Sequence, residues 1–279
     1  MLVLRLHCTD RPGIVAAVSA CLSGARCNIE ESAQFNDHLS GLFFMRVLFS
    51  PVVEGAEKDF AQAFTEVAGT FGMVWALQTV EQPVRTLLMV SKEGHCLNDI
   101  LYRWSVKHFP VEITAVVSNH EILQKRVEDF GLRFVHLPVS PETKDAQEEK
   151  LEALIQETQS ELVVLARYMQ VLSGAFCAKY RGRVINIHHS FLPGFKGAKP
   201  YHQAYARGVK LIGATAHFAT EDLDEGPIIE QETVRITHSD TPEKLRIIGQ
   251  DSESRVLARA ISLYAERRIF LHGKRTVIL

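Results

Sequence analysis

The chain contains 279 residues, of which 46% are hydrophobic and 23% charged, and its formal net charge is −2. Such a chain is long enough for one large domain or two modest ones of ordinary soluble type. A charge so close to neutral excludes a broad basic surface for nucleic acid. The N-terminal apolar stretch is too short for a signal peptide, and no apolar run reaches the length of a membrane span. We therefore expect a cytoplasmic protein that binds neither nucleic acid nor membranes.

The cysteines are odd in number and scattered, without Cys-x-x-Cys spacing: they are Cys8, Cys21, Cys27, Cys96 and Cys177. Neither a disulfide framework nor a structural zinc site has this pattern. We expect reduced thiols and no bound metal.

The pattern of residues 1–80 predicts a strand, a helix, two strands, a second helix and a last strand. The strand-like LVLRLH leads through a turn into the helical stretch IVAAVSACLSG, and a hairpin is expected through residues 37–40. Two such half-units form a small open sheet with both helices on one face. We therefore predict a ferredoxin-like N-terminal domain over residues 1–80.

The pattern changes after the polar, proline-containing segment 81–83, which we interpret as a linker. From Val84 onward, short apolar strands alternate with helical stretches. This alternation predicts a doubly wound, mainly parallel sheet with helices on both faces, forming a second domain over residues 84–279. A long amphipathic helix, predicted from about Thr241 to about Arg268, closes the chain.

Residues 185–202 read INIHHSFLPGFKGAKPYH, in which a buried strand runs into a polar, turn-rich loop. Side chains alternate along a strand, so Asn186 and His188 project from the same face, at the end where doubly wound sheets bind ligands. An amide and an imidazole there can donate to a carbonyl oxygen that gains negative charge. Asn and His at a strand end are also common as turn residues that hydrogen-bond local backbone, and this pair alone slightly favours that role. A metal site with His189 and His202 is disfavoured, because adjacent strand histidines point to opposite faces.

A second cluster follows a later apolar strand and contains four carboxylates, Glu221, Asp222, Asp224 and Glu225. A carboxylate at this edge could accept a proton from water or fix the protonation of an imidazole. The spacing does not single out one of them. His217 fits a supporting catalytic role and a histidine satisfied by backbone equally well.

The two stretches INIHHSFLPGFKG and HFATEDLDEGPII resemble the folate-dependent formyltransferase family, whose signature is an Asn-x-His strand, a Ser-x-Leu-Pro loop and a downstream region in which a His is followed, about six residues later, by Asp-x-Gly. The resemblance covers residues 84–279. It implies that Asn186, His188 and Asp224 are catalytic. It also implies a folate pocket at residues 167–172 and at the acidic loop, with substrate-binding residues Met169, Gln170, Leu172, Glu221 and Asp222. No cofactor is implied, since the folate is itself the substrate.

Residues 91–98 depart from the glycinamide ribonucleotide formyltransferases, which have a glycine-rich phosphate-binding loop at this place. Here the segment has one glycine and an added acidic residue, so water becomes the expected acceptor of the formyl group. The rival hypotheses are a transferase acting on glycinamide ribonucleotide or initiator tRNA, and a binding protein with an inactive formyltransferase fold.

The opening LHCTDRPGIVAAVSACLSGARCNIEES resembles an ACT domain. That resemblance implies an amino-acid effector, with glycine or methionine as candidates, and a homo-oligomer. An ACT domain before a formyltransferase fold implies hydrolysis of 10-formyltetrahydrofolate to tetrahydrofolate and formate. Such an enzyme would supply formate for purine synthesis and balance one-carbon pools.

Overall fold

The computed structural model describes residues 1–193 and 200–279, so the later part of the predicted loop, residues 194–199, lies outside the described residues. The chain divides into two compact units. The first contains Met1–Gln82, Glu266–His272 and Val277–Leu279, and the second contains Pro83–Ala265 and Gly273–Thr276. Among the described residues, no helix combines the length and the apolar character needed to span a bilayer.

The first unit has the predicted order of elements. They are β1 (Leu2–Thr9), α1 (Ile14–Gly24), β2 (Cys27–Asp37), β3 (Leu42–Pro51), α2 (Ala56–Phe71) and β4 (Val74–Thr79). The strands form an antiparallel sheet in the order β2-β3-β1-β4. Alternate residues of β1 and β3, such as Leu4 and Phe49, share one core with Val18 of α1 and with Phe60 and Phe64 of α2. Both helices therefore cover the same face of the sheet.

The second unit is built on a seven-stranded sheet. Its strands are β5 (Val84–Val90), β6 (Val111–Ser118), β7 (Phe134–His136), β8 (Leu162–Leu165), β9 (Val184–His188), β10 (Leu211–Phe218) and β11 (Ile228–Arg235). Its helices are α3 (His95–Ser105), α4 (Gln124–Glu128), α5 (Lys144–Glu157), α6 (Gly174–Lys179), α7 (Pro200–Arg207) and α8 (Pro242–Ala265).

The strand order is β11-β10-β9-β8-β5-β6-β7. Strands β5 to β9 pair in parallel, whereas β10 pairs antiparallel with both of its neighbours. Leu87 and Met89 of β5 pack in one core with residues of α5 and α6, and Leu88 between them is equally buried. Because alternate residues of β5 face opposite sides, both faces of the sheet are covered. The predicted mainly parallel sheet is confirmed.

The order in which strands are added to this sheet changes direction at β5: β6 and β7 lie on one side of it, and β8 and β9 lie on the other. In doubly wound sheets the crevice beyond the carboxyl ends of the strands, near such a switch, is where ligands bind. The segments after β5, β8 and β9 all leave the sheet at this edge. The same edge receives the end of β9, which carries Asn186 and His188.

The C-terminal prediction was wrong in two respects. The last helix ends at Ala265 and not near Arg268, because Arg267 adopts a left-handed backbone with φ 59°. The chain then closes with a hairpin, β12 (Ile269–His272) and β13 (Arg275–Ile278), in which Gly273 takes φ 61°. A helix pattern does not reveal this return, because side chains far away in sequence stabilise it. Arg46 donates to the Glu266 carbonyl at 3.1 Å, and Phe270 packs edge-on against Phe44.

Candidate active site

The register of β9 and β10 brings three polar side chains together. Asn186 and His188 lie two residues apart on β9, and His217 of β10 is the direct antiparallel partner of Asn186. Directly opposed residues in a sheet have neighbouring side chains on one face. Asn186 Nδ2 accordingly lies 3.2 Å from His217 Nε2. His188 and His217 are both buried.

Asp224 reaches these side chains from the loop that follows β10. Its Oδ2 lies 3.2 Å from His188 Nδ1, and its Oδ1 lies 3.6 Å from His217 Nε2. The loop turns tightly: Asp224 has a left-handed backbone with φ 58°, and a Cβ at Gly226 would lie only 1.7 Å from the Phe218 carbonyl oxygen. The glycine of the Asp-x-Gly sequence is therefore required by close backbone approach.

The charge of Asp224 is well defined. Burial alone would raise the pKa of this carboxyl, but its interactions with His188 and His217 outweigh burial and hold its pKa well below the ordinary value. Asp224 is thus a carboxylate throughout the physiological range. A carboxylate of such low proton affinity is a weak general base and a good partner for an imidazolium.

The hydrogen bonds of His217 show which of its ring nitrogens carries the hydrogen and how Asn186 is oriented. His217 Nδ1 lies 3.0 Å from the Phe218 carbonyl oxygen, which can only accept, so Nδ1 carries the hydrogen. In neutral His217, Nε2 then accepts from one N–H of Asn186, and the second N–H of that amide remains for a ligand. Within the part of the chain that the structure describes, His188 Nε2 is buried without a hydrogen-bond partner.

A cavity of about 260 Å³ opens beside these groups. Asn186, His188, His217 and Asp224 line it, together with residues of the loop after β8. Four of the five predicted folate-binding residues lie in its wall: Met169, Gln170, Leu172 and Glu221. Asp222 does not line the cavity and is exposed, in a turn in which Thr220 Oγ1 donates to the Asp222 carbonyl.

The loop after β8 is held from both sides. The Met169 N–H donates to Ser91 Oγ at 2.9 Å. At its far end Ser173 donates twice to Glu148 of α5, from its backbone N–H at 2.7 Å and from its hydroxyl at 2.5 Å. These bonds fix a loop that contributes six cavity-lining residues, 167–172.

A partly buried ionic cluster, which we call the Arg167 cluster, includes residues of the segment 91–98 that follows β5. Arg167 Nη2 lies 3.0 Å from Glu93 and Arg167 Nε lies 3.4 Å from Glu253, whose side chain is 1% exposed. Glu253 also accepts from Tyr201 at 2.8 Å and pairs with His95 at 2.9 Å. The members of the cluster are Glu93, His95, Arg167, Tyr201 and Glu253.

His189 is not directed to the opposite face from His188, which corrects the sequence prediction for adjacent histidines. Strand β9 ends at His188, so side-chain alternation no longer applies one residue later. The two rings stack with centroids 4.6 Å apart and an interplanar angle of 25°. Arg167 Nη1 lies 3.1 Å from His189 Nδ1, which links His189 to the Arg167 cluster. His202 lies on the exposed side of α7 and does not line the cavity.

Among the described residues, one group of side chains could approach a single metal ion: His95, Cys96 and Glu253. Their chemistry does not suit an ion. Burial raises the pKa of the Cys96 thiol far above its ordinary value, whereas a metal requires the thiolate. Both oxygens of Glu253 already accept from Tyr201, His95 and Arg167.

Sequence reasoning left two of these residues unassigned. His217 contacts both Asn186 and Asp224, and its strand position opposite Asn186 follows only from the register. Arg167 was included only as part of the segment 167–172. Its pairing with Glu253, 86 positions later, has no local signature, although an arginine and a glutamate within apolar elements are a signal for buried ion pairing.

Comparisons with known proteins agree with this architecture. The family model described as formyl transferase matches residues 84–261, which contain the sheet and all the site residues. A glycinamide ribonucleotide transformylase from Symbiobacterium toebii is similar in structure, with a TM-score of 0.67 and 33% identity, over 73% of this chain and 96% of that chain.

Other relatives match the whole chain. A formyltetrahydrofolate deformylase from Corynebacterium sp. strain P-1 is 46% identical over 278 residues, which are 99% of this chain and 97% of the relative. The crystal structure of a formyltetrahydrofolate deformylase from Burkholderia mallei has a TM-score of 0.95 and 48% identity, covering 100% of this chain and 99% of that one. The chain therefore belongs to the formyl transferase family and, within it, to the formyltetrahydrofolate deformylases.

Proposed function

We propose that this protein hydrolyses 10-formyltetrahydrofolate to tetrahydrofolate and formate, and that Asn186, His188 and Asp224 are its catalytic residues. The observation that carries the proposal is the convergence of these three side chains, from β9 and from the loop after β10, on one cavity. The names of the whole-length relatives support the same substrate. The formate would supply purine synthesis and balance one-carbon pools.

In the proposed reaction, water attacks the formyl carbon and the formyl oxygen becomes negative in a tetrahedral intermediate. The free N–H of Asn186 Nδ2 and the Nε2–H of a protonated His188 donate to that oxygen. Each donor that is held in position in this way typically raises kcat by a factor of roughly 10²–10³. Both are fixed: Asn186 by His217, and His188 by Asp224.

The collapse of the intermediate breaks the bond between the formyl carbon and the folate nitrogen. That nitrogen takes a proton, which His188 Nε2 donates directly or through water. One proton of the attacking water replaces the proton that His188 gave up, and the other is released to solvent when the product ionises to formate. Asp224, with its depressed pKa, keeps His188 protonated and orients the water, a role that suits it better than accepting the proton. None of these steps uses a cofactor or a metal.

The folate is proposed to bind along the loop after β8. Met169 is 60% exposed and Leu223 is 62% exposed, and both line the cavity, so they offer an apolar surface to a flat ring. Gln170, Leu172 and Glu221 line the same cavity. We retain these residues as the proposed binding site and leave Asp222 out of it.

The test measures formate released from 10-formyltetrahydrofolate with no second substrate. We expect steady release, and Asp224→Asn should lower kcat by at least about 10²-fold while folate binding is largely kept. Asp251→Asn, on the exposed side of α8, is the matched control. Release that strictly requires an added amine acceptor would make the protein a transferase instead. A chelator should leave the rate unchanged.

For the first unit we propose an ACT domain in a cytoplasmic homo-oligomer, with glycine or methionine as its effector. The support is the four-stranded antiparallel sheet with two helices on one face. Both amino acids depend on one-carbon units, so feedback on formate release is chemically reasonable. Calorimetric titration with each amino acid tests this, and an absence of heat would leave the first unit with an architectural role only.

A further inference from the structure

The two histidines at the end of β9 have parallel environments. In each, Nδ1 is held by a charged side chain: Asp224 at 3.2 Å for His188, and Arg167 at 3.1 Å for His189. In each, Nε2 is buried without a partner among the described residues. The rings stack with centroids 4.6 Å apart, and both residues line the cavity. What differs is the sign of the charge at Nδ1.

That difference determines the protonation of each ring. A carboxylate at Nδ1 accepts a hydrogen and favours an imidazolium, so His188 can carry a second proton on Nε2. A guanidinium can only donate, so His189 Nδ1 must offer its lone pair, and the single hydrogen of His189 lies on Nε2. Arg167 therefore selects one tautomer of His189 and opposes its protonation.

Arg167 is itself firmly held. Its side chain is 13% exposed and is paired with Glu93 and Glu253. Its backbone has φ 65°, a conformation that non-glycine residues adopt rarely. Arg167 is therefore a fixed donor next to His189 and not a mobile surface cation.

We propose that Arg167 and His189 are positioning residues for the deformylation reaction: Arg167 holds His189 as the neutral Nε2–H tautomer, and the ring of His189 supports His188 and leaves the reacting proton on it. This inference rests on the proposed function. Two stacked imidazolium ions would oppose each other's charge, so protonation of His189 would remove the proton that His188 needs.

The surroundings of His189 agree with this assignment. The charged and titratable groups that face it are His188, Arg167, Glu253 and Asp224, and the Tyr201 ring lies 6.5 Å away. Burial, together with His188 and Arg167, lowers the pKa of His189 to about 4, although the two carboxylates act in the opposite direction. His189 is therefore neutral at pH values well above 4.

The first test uses the wild-type protein and needs no turnover. The ¹⁵N spectrum of the imidazoles distinguishes Nδ1–H, Nε2–H and doubly protonated rings, and His189→Phe assigns the signal. We expect His189 to keep an unprotonated Nδ1 from pH 5 to pH 8. A His189 that titrates near its ordinary pKa, or that carries hydrogen on Nδ1, would overturn the proposal even if the enzyme releases formate normally.

The second test measures kcat against pH in variants. Loss of the guanidinium removes one of the charges that lower the pKa of His189, while burial and His188 remain, so Arg167→Met should lose kcat on the acid side at a higher pH than the wild type does. Arg167→Met/His189→Phe should lack this acid limb. A limb that persists in the double variant, or an Arg167→Met profile identical to wild type, contradicts the proposal.

The third test asks whether the His189 ring supports His188 or takes part in catalysis itself. It changes His189 alone, so the ion pairs of Arg167 stay intact. His189→Ala removes the ring and should lower kcat by roughly ten- to a hundredfold with little change in KM. His189→Phe restores a ring and should recover most of the loss, with an unchanged pH profile. His202→Phe, on the exposed side of α7, is the control. A His189→Phe variant as inactive as His188→Ala would show that His189 carries protons itself.

Discussion

Asp224 lies between two imidazoles, and its charge contributes to folding as well as to the proposed chemistry. Its folded pKa is below the value of an unfolded aspartate, so ionised Asp224 stabilises the native state. This contribution is complete above about pH 4, where the unfolded aspartate is also ionised, and it is lost as the pH falls towards the lower pKa of the folded state.

Asp224→Asn should therefore change how stability depends on pH. The free energy of unfolding, measured with urea from pH 3 to pH 6, should rise with pH less steeply in the variant than in the wild type, because the linked carboxyl is absent. Asp251→Asn controls for the loss of one surface charge. Parallel curves for wild type and Asp224→Asn would mean that Asp224 has an ordinary pKa in the folded protein.

His217 is the residue through which Asn186 is oriented. His217→Phe fills the same buried space but cannot accept from the Asn186 amide, so kcat should fall by roughly 10- to 100-fold with a smaller change in KM. Combined with Asn186→Ala, the loss should be far less than additive, because both changes remove one interaction. The check is a double-mutant cycle in kcat, and additive losses would show that His217 acts independently of Asn186.

At the scale of the element, the loop between β8 and α6 is the most dependent on distant anchors. Glu148 accepts both the N–H and the hydroxyl of Ser173, and Ser173 Oγ in turn accepts from the Phe176 N–H at the start of α6. Glu148 is 9% exposed. Its removal takes the acceptor from the partly buried N–H and hydroxyl of Ser173 and loosens the end of the loop.

Glu148→Ala should lower the free energy of unfolding by about 1–3 kcal/mol, because two hydrogen bonds to a charged acceptor are lost. KM for the folate should rise several-fold more than kcat falls, because the loop contributes to binding and not to the reacting groups. Glu149→Ala, on the exposed side of the same helix, should change neither quantity appreciably. A kcat effect without a KM effect would place the loop in catalysis.

The elements themselves were largely predictable, since strand and helix periodicities are local. The shared face of Asn186 and His188 followed from strand alternation, and that alternation failed at His189 because the strand had ended. Asp224 could not be selected from its three acidic neighbours by spacing. Its selection required the family resemblance, because the left-handed backbone that brings it to His188 depends on how the loop closes over Gly226.

At the scale of the whole molecule, pairings between distant positions were not predictable. The C-terminal segment was assigned to the second domain, yet Glu266–His272 and Val277–Leu279 belong to the first unit. Arg5 donates to the Ile269 carbonyl, and its guanidinium lies 4.6 Å from the centre of the Phe270 ring. Phe270 is 4% exposed. The last residues of the chain therefore stabilise a unit formed by the first ones.

Phe270→Ala should consequently destabilise the first unit, by about 3–5 kcal/mol, as deletion of a buried aromatic ring does. The chain has two tryptophans, Trp75 in β4 of the first unit and Trp104 in α3 of the second, so the unfolding of each unit can be followed separately by fluorescence.

In a Trp104→Phe background, Phe270→Ala should lower the urea midpoint of the Trp75 fluorescence transition. Leu271→Ala, at a neighbouring position that is 37% exposed, should lower it much less. Loss of the buried Phe270 ring must weaken the packing around Phe44. If the Trp75 transition stayed at the midpoint of the parent protein, the C-terminal segment would therefore not be part of the stable core of the first unit.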